Sequence, residues 1–241
     1  MFHPTQRTWA MAASWTTCAE FVDEPCRIYK ELYYTKNIGA EWIYVTNYVF
    51  DFEWGQSISA KAAGIAIPDD RIWVTRDDKN TGHQGTSKKI NWSVAIDLFV
   101  SEDYFKSTPT LALKSGNTII KTPQYMFVSC SFSDQLRVKI YSSTFRSGFL
   151  NLKQVYLPKD ATLSASFTLM DTSEEQVFLF LENHGLKSPF GNLYISDTNA
   201  RSFTLSMENV IKGTAVDFER VTSLDGTFIV NKYEDGKTPA V

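Results

Sequence analysis

The sequence predicts an all-β chain built as an array of antiparallel blades. Three observations carry that expectation. One local pattern recurs four times: a strand, a Ser or Thr, an Asp, Asn or small polar residue, a turn, then an aromatic. Short runs rich in Phe, Tyr, Val, Ile and Thr alternate along the chain with Gly, Asn, Asp and Pro, the signature of strands and turns. The pattern also returns at a blade-like period. Its starts fall at Thr35, Ser101, Ser142 and Ser196, which are 66, 41 and 54 residues apart. A four-stranded blade needs about 40–50 residues, so the longer spacings imply loop insertions.

The fullest copy is Tyr33-Tyr34-Thr35-Lys36-Asn37-Ile38-Gly39-Ala40-Glu41-Trp42. The others begin Ser101-Glu102-Asp103-Tyr104-Phe105, Ser142-Ser143-Thr144-Phe145-Arg146-Ser147-Gly148-Phe149 and Ser196-Asp197. An Asp or Asn in a tight turn accepts hydrogen bonds from amides just ahead, and Gly supplies positive φ. The closing aromatic packs back over the hairpin. This is a degenerate Asp-box, S-x-D-x-G-x-T-W, whose first task is to staple a β-propeller hairpin. Further strands are expected at 48–54, 119–130, 152–157, 164–170 and 176–181. The polar stretch 76–89, RDDKNTGHQGTSKK, reads as a solvated loop. Helix signal is weak, although 206–211, SMENVI, is able to hold one turn with Ser206 as its cap. Four blades are counted, and 216–233 would open a fifth.

Bulk composition narrows the function. The 241 residues are 43% hydrophobic and 14% aromatic, with net charge −3, enough for a packed all-β domain. No basic stripe suggests nucleic acid, and no apolar run approaches the ~18 residues of a membrane helix. The first residues lack the basic start and apolar core of a signal peptide. Cys18 and Cys26 bracket a short acidic loop. They either close it as a disulfide in an oxidising compartment or remain reduced. Cys130 lies in an apolar strand and reads as a small buried hydrophobe. No cofactor or metal is expected, because there is no C-x-x-C and His3, His83 and His184 are scattered. Asn91-Trp92-Ser93 is a glycosylation sequon beside the polar loop.

Both ends of the chain resemble the sortilin family of vacuolar and lysosomal protein sorting receptors, in particular its fungal branch. At the C-terminal end the carriers are Phe190-Gly191-Asn192-Leu193-Tyr194-Ile195-Ser196-Asp197 and Asp217-Phe218-Glu219-Arg220-Val221-Thr222-Ser223-Leu224-Asp225-Gly226-Thr227-Phe228-Ile229. They are similar to the family's G-x-[IL]-[FY]-x-S-D and D-F-x-x-V-x-[SG]-L-x-G-x-[FY]-I. At the other end the carriers are Phe2-His3-Pro4, Trp9, Trp15, Cys18, Cys26 and Phe52-Glu53-Trp54-Gly55. The resemblance implies that 1–241 is a single domain, about four to five blades of a ten-bladed propeller. The family's leader, remaining blades, membrane span and tail have no counterpart in these residues, so a fragment or a shortened product is expected.

The resemblance also implies a site. In the family, cargo peptides bind in the propeller tunnel, where an Arg pairs with the free C-terminal carboxylate. A planar guanidinium suits that partner, because it meets a carboxylate with two parallel hydrogen bonds. Aligning the box at Ser142 carries the Arg onto Arg137. The inner strand of that blade carries lining positions onto Phe127 and Ser129, and the next blade's carries a Tyr-Ser-Ile trio onto Phe167, Thr168 and Leu169. The Tyr-to-Phe change removes a hydroxyl and Ser-to-Thr adds a methyl. The plainer alternatives are an exposed strand-end arginine at Arg137, like Lys139 beside it, and core packing at Phe127 and Phe167.

Three functions are thereby weighed. The first, favoured by the end motifs, is a non-enzymatic lumenal receptor domain that carries soluble hydrolases or peptides from the late Golgi to endosomes and the vacuole or lysosome. The second is a sialidase-like glycosidase, with Arg137 and Tyr141 or Tyr125, but it lacks further arginines at comparable positions. The third is a purely structural propeller segment.

Overall fold

The computed structural model describes residues 1–16, 28–79, 84, 96–132, 135–159, 161, 167–182, 190–212 and 218–233; for 131–132 and 135–138 it describes the backbone alone. Seventeen strands lie in five sheets among the described residues, and strands follow one another in chain order within each sheet. This is the blade-by-blade, all-β arrangement the repeats predict. The chain divides into two compact units, Met1–Gln135 with Ser143–Leu152, and Leu136–Ser142 with Lys153–Val241.

In the first unit, β1 (Ala10–Trp15), β2 (Lys30–Thr35) and β3 (Ile43–Asn47) form one sheet. β4 (Val49–Trp54), β5 (Ile72–Asp77), β6 (Ile96–Ser101) and β7 (Thr110–Leu113) form the second. β8 (Gly116–Lys121) and β9 (Tyr125–Phe132) open the third. Alternation along β5 shows what holds these sheets face to face. Successive side chains point to opposite faces, yet Ile72, Trp73 and Val74 are all fully buried. Ile72 and Val74 pack with Met11, Leu32, Val45 and Trp54 of the flanking strands. Trp73 points the other way, into Leu98, Ile119, Met126 and Val128. A strand covered on both faces reads as a continuous apolar run. Each such large side chain contributes roughly 1.5–3 kcal/mol by leaving water.

A short helix, α1 (Ile58–Ala62), interrupts the strands after β4, and Ser57 Oγ caps it by accepting from Ala60 N at 3.0 Å. Arg71 secures the same region from beneath. Its buried guanidinium donates through Nε to Glu102 Oε1 at 3.0 Å and through one terminal nitrogen to Gly148 O at 3.1 Å.

In the second unit, the Leu136–Ser142 part of β10 (Gln135–Thr144) pairs with β11 (Lys153–Gln154) through Tyr141 opposite Gln154. The fourth sheet is β12 (Phe167–Asp171), β13 (Phe178–Leu181), β14 (Phe190–Ser196) and β15 (Phe203–Ile211). The expected fifth blade is present as a pair, β16 (Phe218–Arg220) with β17 (Phe228–Val230). The Phe178 ring ties it to the fourth sheet, with centroids 5.2 Å from Phe218 and 4.6 Å from Phe228.

Two local expectations are corrected. The segment 206–211 lies in β15 instead of a helical turn. There, ladder bonds to β14 and packing of Met207 and Val210 against Phe180 and Leu193 override a weak helix preference. The apolar stretch 119–130 is two strands. The chain reverses at Thr122, whose N–H donates to Tyr125 O at 2.8 Å.

Candidate functional site

The hairpin turns set the frame for every site residue. Each box begins at the last residue of a strand: Thr35 of β2, Ser101 of β6, Thr144 of β10 and Ser196 of β14. Four residues on, each chain has positive φ: Gly39 (82°), Phe105 (63°), Gly148 (61°) and Ala200 (53°). In the first box Thr35 Oγ1 accepts from Asn37 N and Gly39 N, and Asn37 Oδ1 accepts from Glu41 N. The second repeats this with Ser101 Oγ, Asp103 N, Phe105 N and Ser107 N. Those bonds hold the Asp103 carboxyl below its ordinary range, the contact with Ser107 being the largest influence. In the fourth, Asp197 stands one residue earlier and still accepts from Arg201 N at 2.8 Å. The third starts two residues later than the sequence register implied, because β10 continues to Thr144. Its turn is closed by the backbone, Phe149 N to Thr144 O and Gly148 N to Phe145 O.

This register bears on the carboxylate clamp. Arg137 lies five residues before Ser142; five before Thr144 is Lys139, also a cation and exposed. Arg137 lies in β10, where the backbone alone is described. Phe127 and Ser129 lie on β9, the second strand in chain order of the third sheet. They share one face of it, opposite the face that sends Met126 and Val128 into the core. Phe127 is fully buried beside Tyr125, and Ser129 is half-buried. In the other unit Phe167 and Leu169 share a face of β12, half-buried, while Thr168 projects exposed from the opposite face. The trio therefore does not present one surface. Cys18, Cys26 and Asn91 lie outside the described residues. Cys130 is buried, as its apolar strand predicts, and its Sγ donates to Lys114 O at 3.8 Å.

A second group of polar residues, in the first unit, was not singled out for function in the sequence. Asp51 of β4 accepts from Ile119 N of β8 at 2.8 Å, joining the first strands of two neighbouring sheets. Burial raises its carboxyl above the ordinary range. Two residues further along each strand stand Glu53 and Lys121, which line one cleft of about 250 Å³. Burial pushes the Glu53 carboxyl up to about 7, with Lys121 opposing. Burial likewise pulls the Lys121 ammonium down to about 8, with Glu53 opposing. Lys121 Nζ donates to Gln56 O at 2.7 Å and sits 5.1 Å from the Phe149 ring centre.

Nearby, His3 is buried and held neutral. Its Nδ1 accepts from Thr5 N and Gln6 N, so Nε2 carries the proton donated to Asp69 O at 3.1 Å. Burial lowers its pKa, against the raising effect of Asp69. The signal for these residues was present in the sequence as acidic positions alternating with aromatics at 50–54. The presence of Lys121, 68 residues away, in the same cleft as Glu53 is a tertiary fact.

The comparisons with known proteins agree with this architecture. A family model described as Sortilin, neurotensin receptor 3 (Sortilin-Vps10) matches residues 1–239. The chain belongs to the Sortilin-Vps10 family. Vacuolar protein sorting/targeting protein 10 of Mycosarcoma maydis is 23% identical over 239 residues, covering 95% of this chain and 15% of that protein. The mouse VPS10 domain-containing receptor SorCS1 is 27% identical, covering 98% and 18% respectively. This Sortilin-Vps10 chain thus spans less than a fifth of these relatives, named as a vacuolar protein sorting/targeting protein and a VPS10 domain-containing receptor. Among solved structures, the β-propeller domain of the Trilobed protease from Pyrococcus furiosus superimposes with TM-score 0.50 at 10% identity, over 87% of this chain and 57% of that one. That likeness concerns the fold alone. No helix among the described residues is long and apolar enough to cross a membrane.

Proposed function

We propose that this chain is part of a single lumenal, ligand-binding propeller domain of a sorting receptor. It holds protein cargo for transport from the late Golgi to endosomes and the vacuole or lysosome. The observation that carries the reading is the family match over 1–239, on a chain folded as successive antiparallel sheets. The cargo group is a free C-terminal carboxylate, met by the cationic stretch of β10 at Arg137 or Lys139, with Phe167 and Leu169, which share a face of β12, as lining positions. The lumenal setting makes Asn91 a glycosylation site and Cys18–Cys26 a disulfide. Release of cargo in mild acid would depend on carboxylates or on His83 and His184. His3 is unsuited to it, being locked as a hydrogen-bond acceptor at Nδ1.

Calorimetry on the complete propeller tests the clamp, using C-terminal cargo peptides with free and with amidated carboxylates. Amidation is expected to weaken binding about tenfold or more, the worth of a charge-assisted hydrogen bond of roughly 1.5–3 kcal/mol. Arg137→Ala or Lys139→Ala should weaken the free acid to the same degree and leave the amide unchanged. Binding indifferent to amidation and to both substitutions would remove the clamp.

A further inference from the structure

The cleft between the ends of β4 and β8 has features that neither fold nor cargo clamp accounts for. One wall is apolar: Phe2, Pro4, Ile58 and Pro123 line it. Phe2 and Ile58 are 78% and 61% exposed, so an occupant would cover large apolar side chains now facing water. Glu53 and Lys121 enter the same cleft from neighbouring strands. They form no ion pair with each other, and Lys121 spends a proton on the backbone at Gln56 O. Opposite charges line one partly dry cleft without a hydrogen bond to each other, so each has capacity for a group of opposite sign entering that cleft. Trp54 also lines the cleft, and its buried indole N–H has no partner among the described residues. The volume, about 250 Å³, is below the ~300–1,000 Å³ of sites for drug-sized ligands. It suits something the size of one amino-acid residue.

We propose that this cleft binds an apolar zwitterion: an ammonium against Glu53, a carboxylate against Lys121 and an aliphatic body on the Phe2–Ile58–Pro123 wall. Such a ligand brings no net charge into the cleft and supplies each half-buried charge with its counter-charge. The same chemistry has two sources, a free amino acid such as leucine or a peptide segment in which an apolar residue stands between a Lys and an Asp. The site lies within the first unit and uses none of the proposed cargo residues, so it stands or falls apart from the cargo reading.

Calorimetry with the purified protein at pH 7.5 decides the matter. The probes are L-leucine, leucine amide, N-acetyl-leucine, and the tripeptide Lys-Leu-Asp capped at both ends. Leucine or the capped tripeptide is expected to bind, and which of them binds more tightly identifies the source. If leucine is the ligand, its amide and its N-acetyl form each bind about tenfold more weakly, one charge-assisted contact being lost. Glu53→Gln then weakens leucine and leucine amide but leaves N-acetyl-leucine as it was. Lys121→Met gives the converse. If the tripeptide is the ligand, replacing its Lys by norleucine abolishes the effect of Glu53→Gln, and replacing its Asp by Asn abolishes that of Lys121→Met. Thermal unfolding of each variant verifies that it is folded, and Glu53→Gln removes a half-buried charge, so it should fold at least as well as the parent. Failure of both leucine and the tripeptide to bind overturns the proposal. So does binding that ignores Glu53→Gln.

Discussion

Glu53 shows how one side chain carries a measurable signature of its surroundings. In the unfolded chain its carboxyl releases its proton near 4.5, and in the folded chain near 7. Between those values the folded state binds more protons, so stability falls as pH rises through that window, and the cost is complete above it. Glu53→Gln removes the cost. The variant is expected to match the parent near pH 4.5 and to exceed it by about 1–3 kcal/mol at pH 8, read as a growing difference in Tm. A constant difference across that range would mean that the carboxyl is not buried as described. Gly191 is constrained by space instead of charge. A Cβ there would stand 2.4 Å from Leu181 O and 2.5 Å from the Phe180 ring. The backbone oxygen belongs to the β13–β14 ladder and cannot retreat without breaking it. Gly191→Ala should cost about 1–3 kcal/mol in a urea titration, although alanine is ordinarily the smallest of changes.

At the scale of the element, the box hairpins share a backbone shape but not a common set of bonds. In the second box, Ser101 Oγ serves the amides of Asp103 and Phe105. Ser101→Ala leaves both without that acceptor and should cost about 1–2 kcal/mol. In the third, Thr144 makes no side-chain cap bond and its carbonyl closes the turn. Thr144→Ala should therefore cost less than about 0.5 kcal/mol, as surface changes away from such contacts do. Equal losses at the two positions would show that the turns are held by something other than the Ser and Thr hydroxyls. Positive φ at Phe105 and Ala200 shows that the turn shape persists where its usual glycine is gone. Side-chain bonds to Asp103 and Asp197 compensate for the strain.

Across the first unit as a whole, stability resides in separate apolar layers between consecutive sheets. Ile72 belongs to the layer with Met11, Leu32 and Trp54, and Ile119 to the layer with Trp73, Leu98 and Phe149. Ile72→Val and Ile119→Val should each cost about 0.5–1.5 kcal/mol. Because their layers share no residue, the double variant should lose the sum to within about 0.5 kcal/mol. A departure larger than that would mean that the sheet between them transmits strain. Such layering also explains why β5 is apolar at successive positions, whereas β1 keeps Met11 buried and leaves Ala12 and Ser14, on its opposite face, exposed.

The sequence by itself determined the all-β class, the blade count, the strand ends at Thr35, Ser101 and Ser196, and the family. Those properties rest on local chemistry. Turn hydrogen bonds join residues two to five apart, alternation spans two, and motif words such as Phe-His-Pro or Phe-Glu-Trp-Gly are contiguous. Tertiary structure decided what depends on distant partners. The strand character of 206–211 was set by the β14 ladder, and the division of 119–130 by the reversal at Thr122. The extension of β10 to Thr144 starts the third hairpin turn two residues later than Ser142. Above all, the meeting of Glu53 with Lys121 follows from the Asp51–Ile119 tie between two sheets. A carboxylate on one strand carries no local mark of the ammonium that will face it. Burial of that pair, and with it the displaced pKa values, exists only once the sheets have packed.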